Sequence, residues 1–80
     1  MEGRLPRVNA DEIIRVLKKR GFIKVDQSGS HQKWRNPDSG RQTIIAYHRG
    51  DIIRPKTFIR ILEGAGITVE EFEKIRKGKA

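Results

Sequence analysis

Between Phe22 and Tyr47 three short runs of strand-forming residues are separated by connections too short to hold a crossover. Ser28-Gly29-Ser30 follows the first run and Pro37-Asp38-Ser39-Gly40 the second, and both are turn sequences. Parallel neighbours need a connection of about a dozen residues or more, so runs joined this tightly can pair only antiparallel. The sequence therefore predicts an antiparallel meander with strands over 22–27, 31–36 and 41–47. β-branched Thr43, Ile44 and Ile45 lie at the centre of the third strand.

Helices are expected on either side. Asn9 and Glu12 have the spacing of a capping box, and Ile13, Ile14, Val16 and Leu17 follow with helical periodicity. Lys18, Lys19 and Arg20 suit the negative end of the helix dipole, and Gly21 suits a left-handed C-cap, giving a helix over 10–20. Pro55 opens a second helix whose apolar stripe is Phe58, Ile59, Ile61 and Leu62, and Gly64-Ala65-Gly66 breaks it. Thr68 and Glu71 cap a short third helix through Val69, Phe72 and Ile75, before the basic tail Arg76-Lys77-Gly78-Lys79. Residues 1–8 read as a loose lead-in, and 48–54 as a charged loop with Ile52 and Ile53 turned inward. The order α-β-β-β-α with a short extra C-terminal helix predicts a two-layer α+β domain. Its three-stranded antiparallel sheet carries its helices on one face, the order of a double-stranded-RNA-binding domain. Eighty residues leave room for one domain, 1–80, with one small core.

The second turn also proposes a register. If Pro37 to Gly40 is the loop, Asn36 faces Arg41, Trp34 faces Thr43 and His31 faces Ala46. Gln32, Trp34, Thr43, Ile45 and Tyr47 then share one face, suited to the core. His31, Lys33, Arg35, Gln42, Ile44, Ala46 and His48 share the other, which is open and basic. A slip of one residue would exchange one strand's faces.

Charge points to the partner. The formal net charge is +8, and between Arg15 and Arg60 there are twelve Lys and Arg against three acids, Asp26, Asp38 and Asp51. The remaining acids sit near the two ends. A basic middle suits a polyanion, usually nucleic acid, although a merely solvated surface is the simpler alternative. No apolar run is long enough to cross a bilayer, the N-terminus has no apolar signal region, and there is no cysteine for a disulfide or thiolate metal site. The expected location is the cytoplasm.

His31 beside Lys33 and Arg35 is the candidate chemistry. Cleavage of RNA by its own 2′-OH needs a proton removed from that hydroxyl, a proton given to the leaving 5′ oxygen, and stabilisation of charge on the phosphate. Imidazole can perform either transfer, and Lys and Arg can hold phosphate oxygens, with no metal or cofactor required. A lone strand histidine is more often a surface or structural residue. Trp34 reads as a base-stacking platform or a core residue, and the register favours the core. His48 reads as a second acid or base, a phosphate contact, or a loop-fixing side chain. Lys18-Lys19-Arg20 suits a phosphate backbone or the helix terminus equally well, and Gly29 is explained most simply by its turn.

Gly21-Phe22, Gly29-Ser30-His31, the Pro-Asp-x-Gly-type turn, His48 and Pro55-x-Thr57 together resemble the HicA family over roughly residues 5–75. The Gly-Ser-His after the first strand is the most specific piece. Ala46 and Lys56 stand where the family often has Pro and Gly. The resemblance implies a double-stranded-RNA-binding-domain-like fold and a toxin that cleaves mRNA, an mRNA interferase, with His31 catalytic. It also implies a HicB-like antitoxin that covers the active face, and a toxin that is monomeric when alone. The expected RNA-binding set is Ser30, Lys33, Arg35, Lys24, His48 and Arg49, with no metal ligand and no cofactor. A non-catalytic RNA-binding module of the same fold is the alternative, and a small protein-interaction domain with an acidic partner is a third class. The Gly-Ser-His piece favours the nuclease over the first of these, and the basic middle favours either over the second.

Overall fold

The backbone around Asn36 closes the turn between the second and third strands. Its N–H donates to the Arg41 carbonyl and its carbonyl accepts from the Gly40 N–H, both at 2.8 Å. Gly40 takes φ +78°, in the left-handed region that glycine enters without steric cost. The Asn36 side chain accepts from the Asp38 N–H at 2.8 Å, so the turn is pinned on both sides.

The computed structural model describes residues 5–78. The start of the expected lead-in, the reading of the N-terminus and Lys79 of the basic tail lie outside the described residues. The elements are α1 (Ala10–Lys19), β1 (Ile23–Ser28), β2 (His31–Arg35), β3 (Gln42–Ala46), α2 (Pro55–Ala65) and α3 (Val69–Arg76), and the sheet order is β1-β2-β3. Strands β2 and β3 pair His31 with Ala46, Trp34 with Thr43 and Arg35 with Gln42, the register that the turn proposes. Gln32, Trp34, Thr43 and Ile45 are buried beneath the helices, and His31, Arg35, Gln42 and Ile44 are exposed on the far face.

The helix termini follow their local signals. Asn9 and Glu12 exchange two 3.0 Å hydrogen bonds in a capping box, and Thr68 and Glu71 repeat the device at α3. The bond from the Thr68 N–H holds the Glu71 carboxyl below its ordinary value. At the end of α1, Gly21 N–H reaches the Lys18 carbonyl and Phe22 N–H the Leu17 carbonyl, with Gly21 at φ +89°. This is a Schellman closure, and it turns the chain directly into β1 while burying Phe22.

Helix α2 ends within the expected Gly64-Ala65-Gly66 segment: it runs to Ala65 and closes at Gly66, whose φ is +72°. Helix packing explains Gly64: a Cβ there would lie 2.9 Å from the Gln42 carbonyl oxygen and 3.0 Å from Thr43 Oγ1. The missing side chain lets α2 lie close on β3, and the Thr43 hydroxyl donates to the Ile61 carbonyl at 2.9 Å across that contact. The described part of the lead-in is not loose. Val8 is fully buried, Leu5 packs on the core, and the Val8 carbonyl accepts from Ile53 N–H at 2.8 Å. Ile52 is not turned inward: it is 47% exposed, and only Ile53 packs on the core, because the bridge between Asn9 and Ile52 alternates their faces. The first strand is shifted by one residue from 22–27 to Ile23–Ser28, since Phe22 is taken by the helix closure.

Core packing centres on the edge-to-face pair Phe58 and Phe72, with ring centroids 4.9 Å apart, which locks α3 to α2. The Tyr47 hydroxyl donates to Asp11 Oδ1 at 2.9 Å and ties the end of β3 to α1.

Two outcomes follow from this packing. Gly64→Val should cost about 1–3 kcal/mol, the usual penalty of overpacking, because α2 must move off β3. Urea unfolding midpoints measure it, and an unchanged midpoint would refute the close approach. The bond to Asp11, with burial and the Asp11 charge, raises the Tyr47 phenol above its ordinary value of 10.0. The folded chain thus holds this proton more tightly than the unfolded chain. The bond's contribution is complete below that ordinary value and disappears as pH rises through the raised one. Tyr47→Phe should lack this alkaline loss, and thermal melts of both proteins between pH 8 and 11 would reveal it; parallel pH profiles would contradict the tether.

Candidate nucleic-acid interface

The open face of the sheet is built in three cross-strand rows. Ser28, His31 and Ala46 form the first, Asp26, Lys33 and Ile44 the second, and Ile23, Arg35 and Gln42 the third. His31 is the first residue of β2, delivered by the turn at Gly29, whose φ is +59°. Its imidazole is exposed and, among the described residues, makes no side-chain hydrogen bond or ion pair. Lys33, one row on, is about 7 Å along the strand from His31, and Arg35 about 13 Å, at the usual rise per residue. Lys33 and His31 can address the same phosphate or adjacent ones; Arg35 serves a more distant position.

The other expected contacts divide. Ser30 is half-buried in the turn, where its carbonyl accepts from Tyr47 N–H at 2.7 Å. His48 and Arg49 are exposed just beyond β3, in a tight loop where the His48 carbonyl accepts from Asp51 N–H at 3.1 Å. Lys24 is not with His31. A bulge between Lys24 and Asp26 shifts β1, so Lys24 pairs with Trp34 and falls on the helix side. There its ammonium donates to Gln27 Oε1 at 2.9 Å. Trp34 is a core residue: it is 5% exposed, and its indole N–H donates to Gln32 Oε1 at 3.0 Å.

His31 stands between two hollows. One, of about 110 Å³, is bounded by Asp26, Ser28, Lys33 and Ile44. The other, of about 450 Å³, is a groove between β3 and α2, and Ile44, Ala46, Thr57 and Arg60 line it with His31. Thr57 and Arg60 were not among the residues expected at the site. Their spacing of three places them on one side of α2, but nothing in the chain states that this side borders β3.

The charges are sorted in space. Among the described residues the ion pairs are Arg20–Glu71 at 3.5 Å, Arg76–Glu12 at 3.6 Å and Arg76–Glu73 at 2.7 Å, all between helical elements or their caps. None reaches the open face, where Lys33 and Arg35 keep their charge available to a polyanion. No group of three His, Cys, Asp or Glu side chains among the described residues is placed to hold a metal ion, and no described helix is long and apolar enough to cross a membrane.

The sequence model of a family described as HicA toxin of bacterial toxin-antitoxin covers residues 10–67, from the first residue of α1 to the segment just after α2. No curated protein matches the chain.

Proposed function

This chain belongs to the HicA toxin family, and we propose that it is an endoribonuclease, an mRNA interferase, that cleaves RNA without a metal ion through His31. The observation that carries this reading is the placement of His31. It is an exposed imidazole with no side-chain hydrogen bond or ion pair among the described residues, on a sheet face whose Lys33 and Arg35 form no ion pair among them either, at the mouth of a groove lined by a further arginine.

In the proposed reaction the 2′ oxygen attacks the adjacent phosphorus, and the bond from phosphorus to the 5′ oxygen breaks. A base takes the 2′-OH proton and an acid delivers one to the departing 5′ oxygen. The products are a 2′,3′-cyclic phosphate and a 5′-OH, with no water consumed in the step. His31 performs one of the two transfers, and Lys33 holds the phosphate oxygens as charge builds on them. Ser30, Arg35, His48 and Arg49 contact flanking RNA, and Lys24, on the other face, takes part only if the RNA wraps past β1. DNA is inert because it lacks the nucleophile.

His31→Ala should lower cleavage by about 10²–10⁴-fold, the usual value of a positioned acid or base. The melting temperature and RNA affinity should be preserved, since an exposed strand residue adds little to the core. The assay compares both proteins on one RNA, with end-group analysis, excess chelator and a melting curve. Equal cleavage by the two would remove His31 from the mechanism, and an inactive mutant that has unfolded would return it to a structural role.

Affinity should be electrostatic. RNA binding should weaken steeply between low and moderate salt, and Lys33→Ala and Arg35→Ala should each reduce the slope by about one counterion. A slope near zero in wild type would contradict the interface.

Membership of a toxin-antitoxin family also implies an antitoxin. We infer a HicB-like protein that lays acidic residues over the open face, where charge complementarity is greatest. Hydrogen exchange of the complex should show protection across His31 to Arg35 together with loss of cleavage. A stable complex that leaves His31 exposed and cleavage intact would count against it.

A further inference from the structure

Apart from His31, the residues that line the groove between β3 and α2 are given no part in the proposed reaction. The groove begins at His31, runs between the exposed Ile44 on one wall and Thr57 and Arg60 on the other, and has a volume of about 450 Å³. That is within the range of small-molecule sites, which begins at roughly 300 Å³, and far too narrow for a duplex. Its chemistry is mixed as a nucleotide's is. Ile44, 54% exposed, offers an apolar surface to a base, Arg60 a cation to a phosphate, and Thr57 a hydroxyl to a sugar or base edge. Arg60 forms no ion pair among the described residues, so its charge is not spent on the fold.

We propose that this groove is a nucleotide subsite that binds the unpaired nucleotide adjoining the scissile phosphate, with Arg60 on its flanking phosphate and Ile44 against its base. The proposal rests on the nuclease reading of His31 and adds a substrate class to it. In an A-form duplex the bases are stacked inward and only sugars, phosphates and the shallow minor groove are presented, so no base can enter a cleft between a strand and a helix. A single-stranded nucleotide can be splayed into it. The site therefore selects RNA that is unpaired at the point of cleavage, and the groove walls read the identity of one base.

The experiment uses the full chain, a single-stranded RNA oligonucleotide that is cleaved at one position, and the same oligonucleotide annealed to its complement. Wild type should cleave the annealed form at least about tenfold more slowly. Arg60→Ala should raise KM on the single strand by roughly ten- to a hundredfold with a smaller change in kcat, as expected for a lost charged hydrogen bond, while Arg60→Lys should recover part of the loss. Ile44→Ala should weaken the preference for the base at that position. Because Arg60 and Ile44 are exposed, their melting temperatures should match wild type. Binding of each variant in the His31→Ala background to the uncleaved single strand gives a second readout that needs no turnover. Unchanged KM and unchanged binding in Arg60→Ala, or equal cleavage of paired and unpaired RNA, would overturn the subsite while leaving His31 in its role. Full activity of His31→Ala alone would instead strike the nuclease reading on which the subsite rests.

Discussion

The bonds between Asn36, Gly40 and Arg41 fix the register of β2 on β3, and each side chain of those two strands takes its face from that register. A slip of one residue on β2 would carry Trp34 into solvent and His31 beneath the helices. Burial of Trp34 opposes the slip, since full burial of a large apolar side chain is worth about 1.5–3 kcal/mol. The indole N–H would in addition lose its partner at Gln32. The turn and the core thus agree, and the exposed chemistry of His31, Lys33 and Arg35 is the necessary other side of that agreement.

The groove beside His31 depends on a second constraint, the close approach of α2 to β3. Gly64 allows contact with the Gln42 carbonyl, and Thr43 converts the contact into a buried hydrogen bond. Arg60 lies about one turn and Thr57 about two turns earlier on the same helix, so their position opposite Ile44 follows from this docking. The groove walls are a strand and a helix rather than mobile loops, which holds charged and apolar groups at a fixed spacing.

Segregation of charge along the chain becomes segregation in space because the chain ends form the helical layer. Glu12 on α1 and Glu71 and Glu73 on α3 meet Arg20 and Arg76 there. Such partly exposed pairs contribute little to stability individually. Their larger effect is distribution: acids are taken up on the helix side, and Asp26 is the one acid in the cross-strand rows of the open face.

Much of this was legible in the sequence. The capping boxes, the Gly21 closure, the Pro37–Gly40 turn, the β2–β3 register and the placement of His31 opposite the core are set by neighbours in the chain, through turn chemistry, period-two alternation and local hydrogen bonds. The family match over residues 10–67 covers the Gly21 closure, the turn, the β2–β3 register and His31, and stops short of the α3 capping box at Thr68 and Glu71. What the chain could not state is where distant segments meet. The bulge at Lys24/Asp26 moves Lys24 to the Trp34 side, Val8 pairs with the loop at Ile53, Ile52 points outward, and Arg60 and Thr57 come to border His31. Each of these depends on how one element docks on another, through packing and backbone bonds between residues far apart in sequence, and only the folded arrangement supplies those contacts.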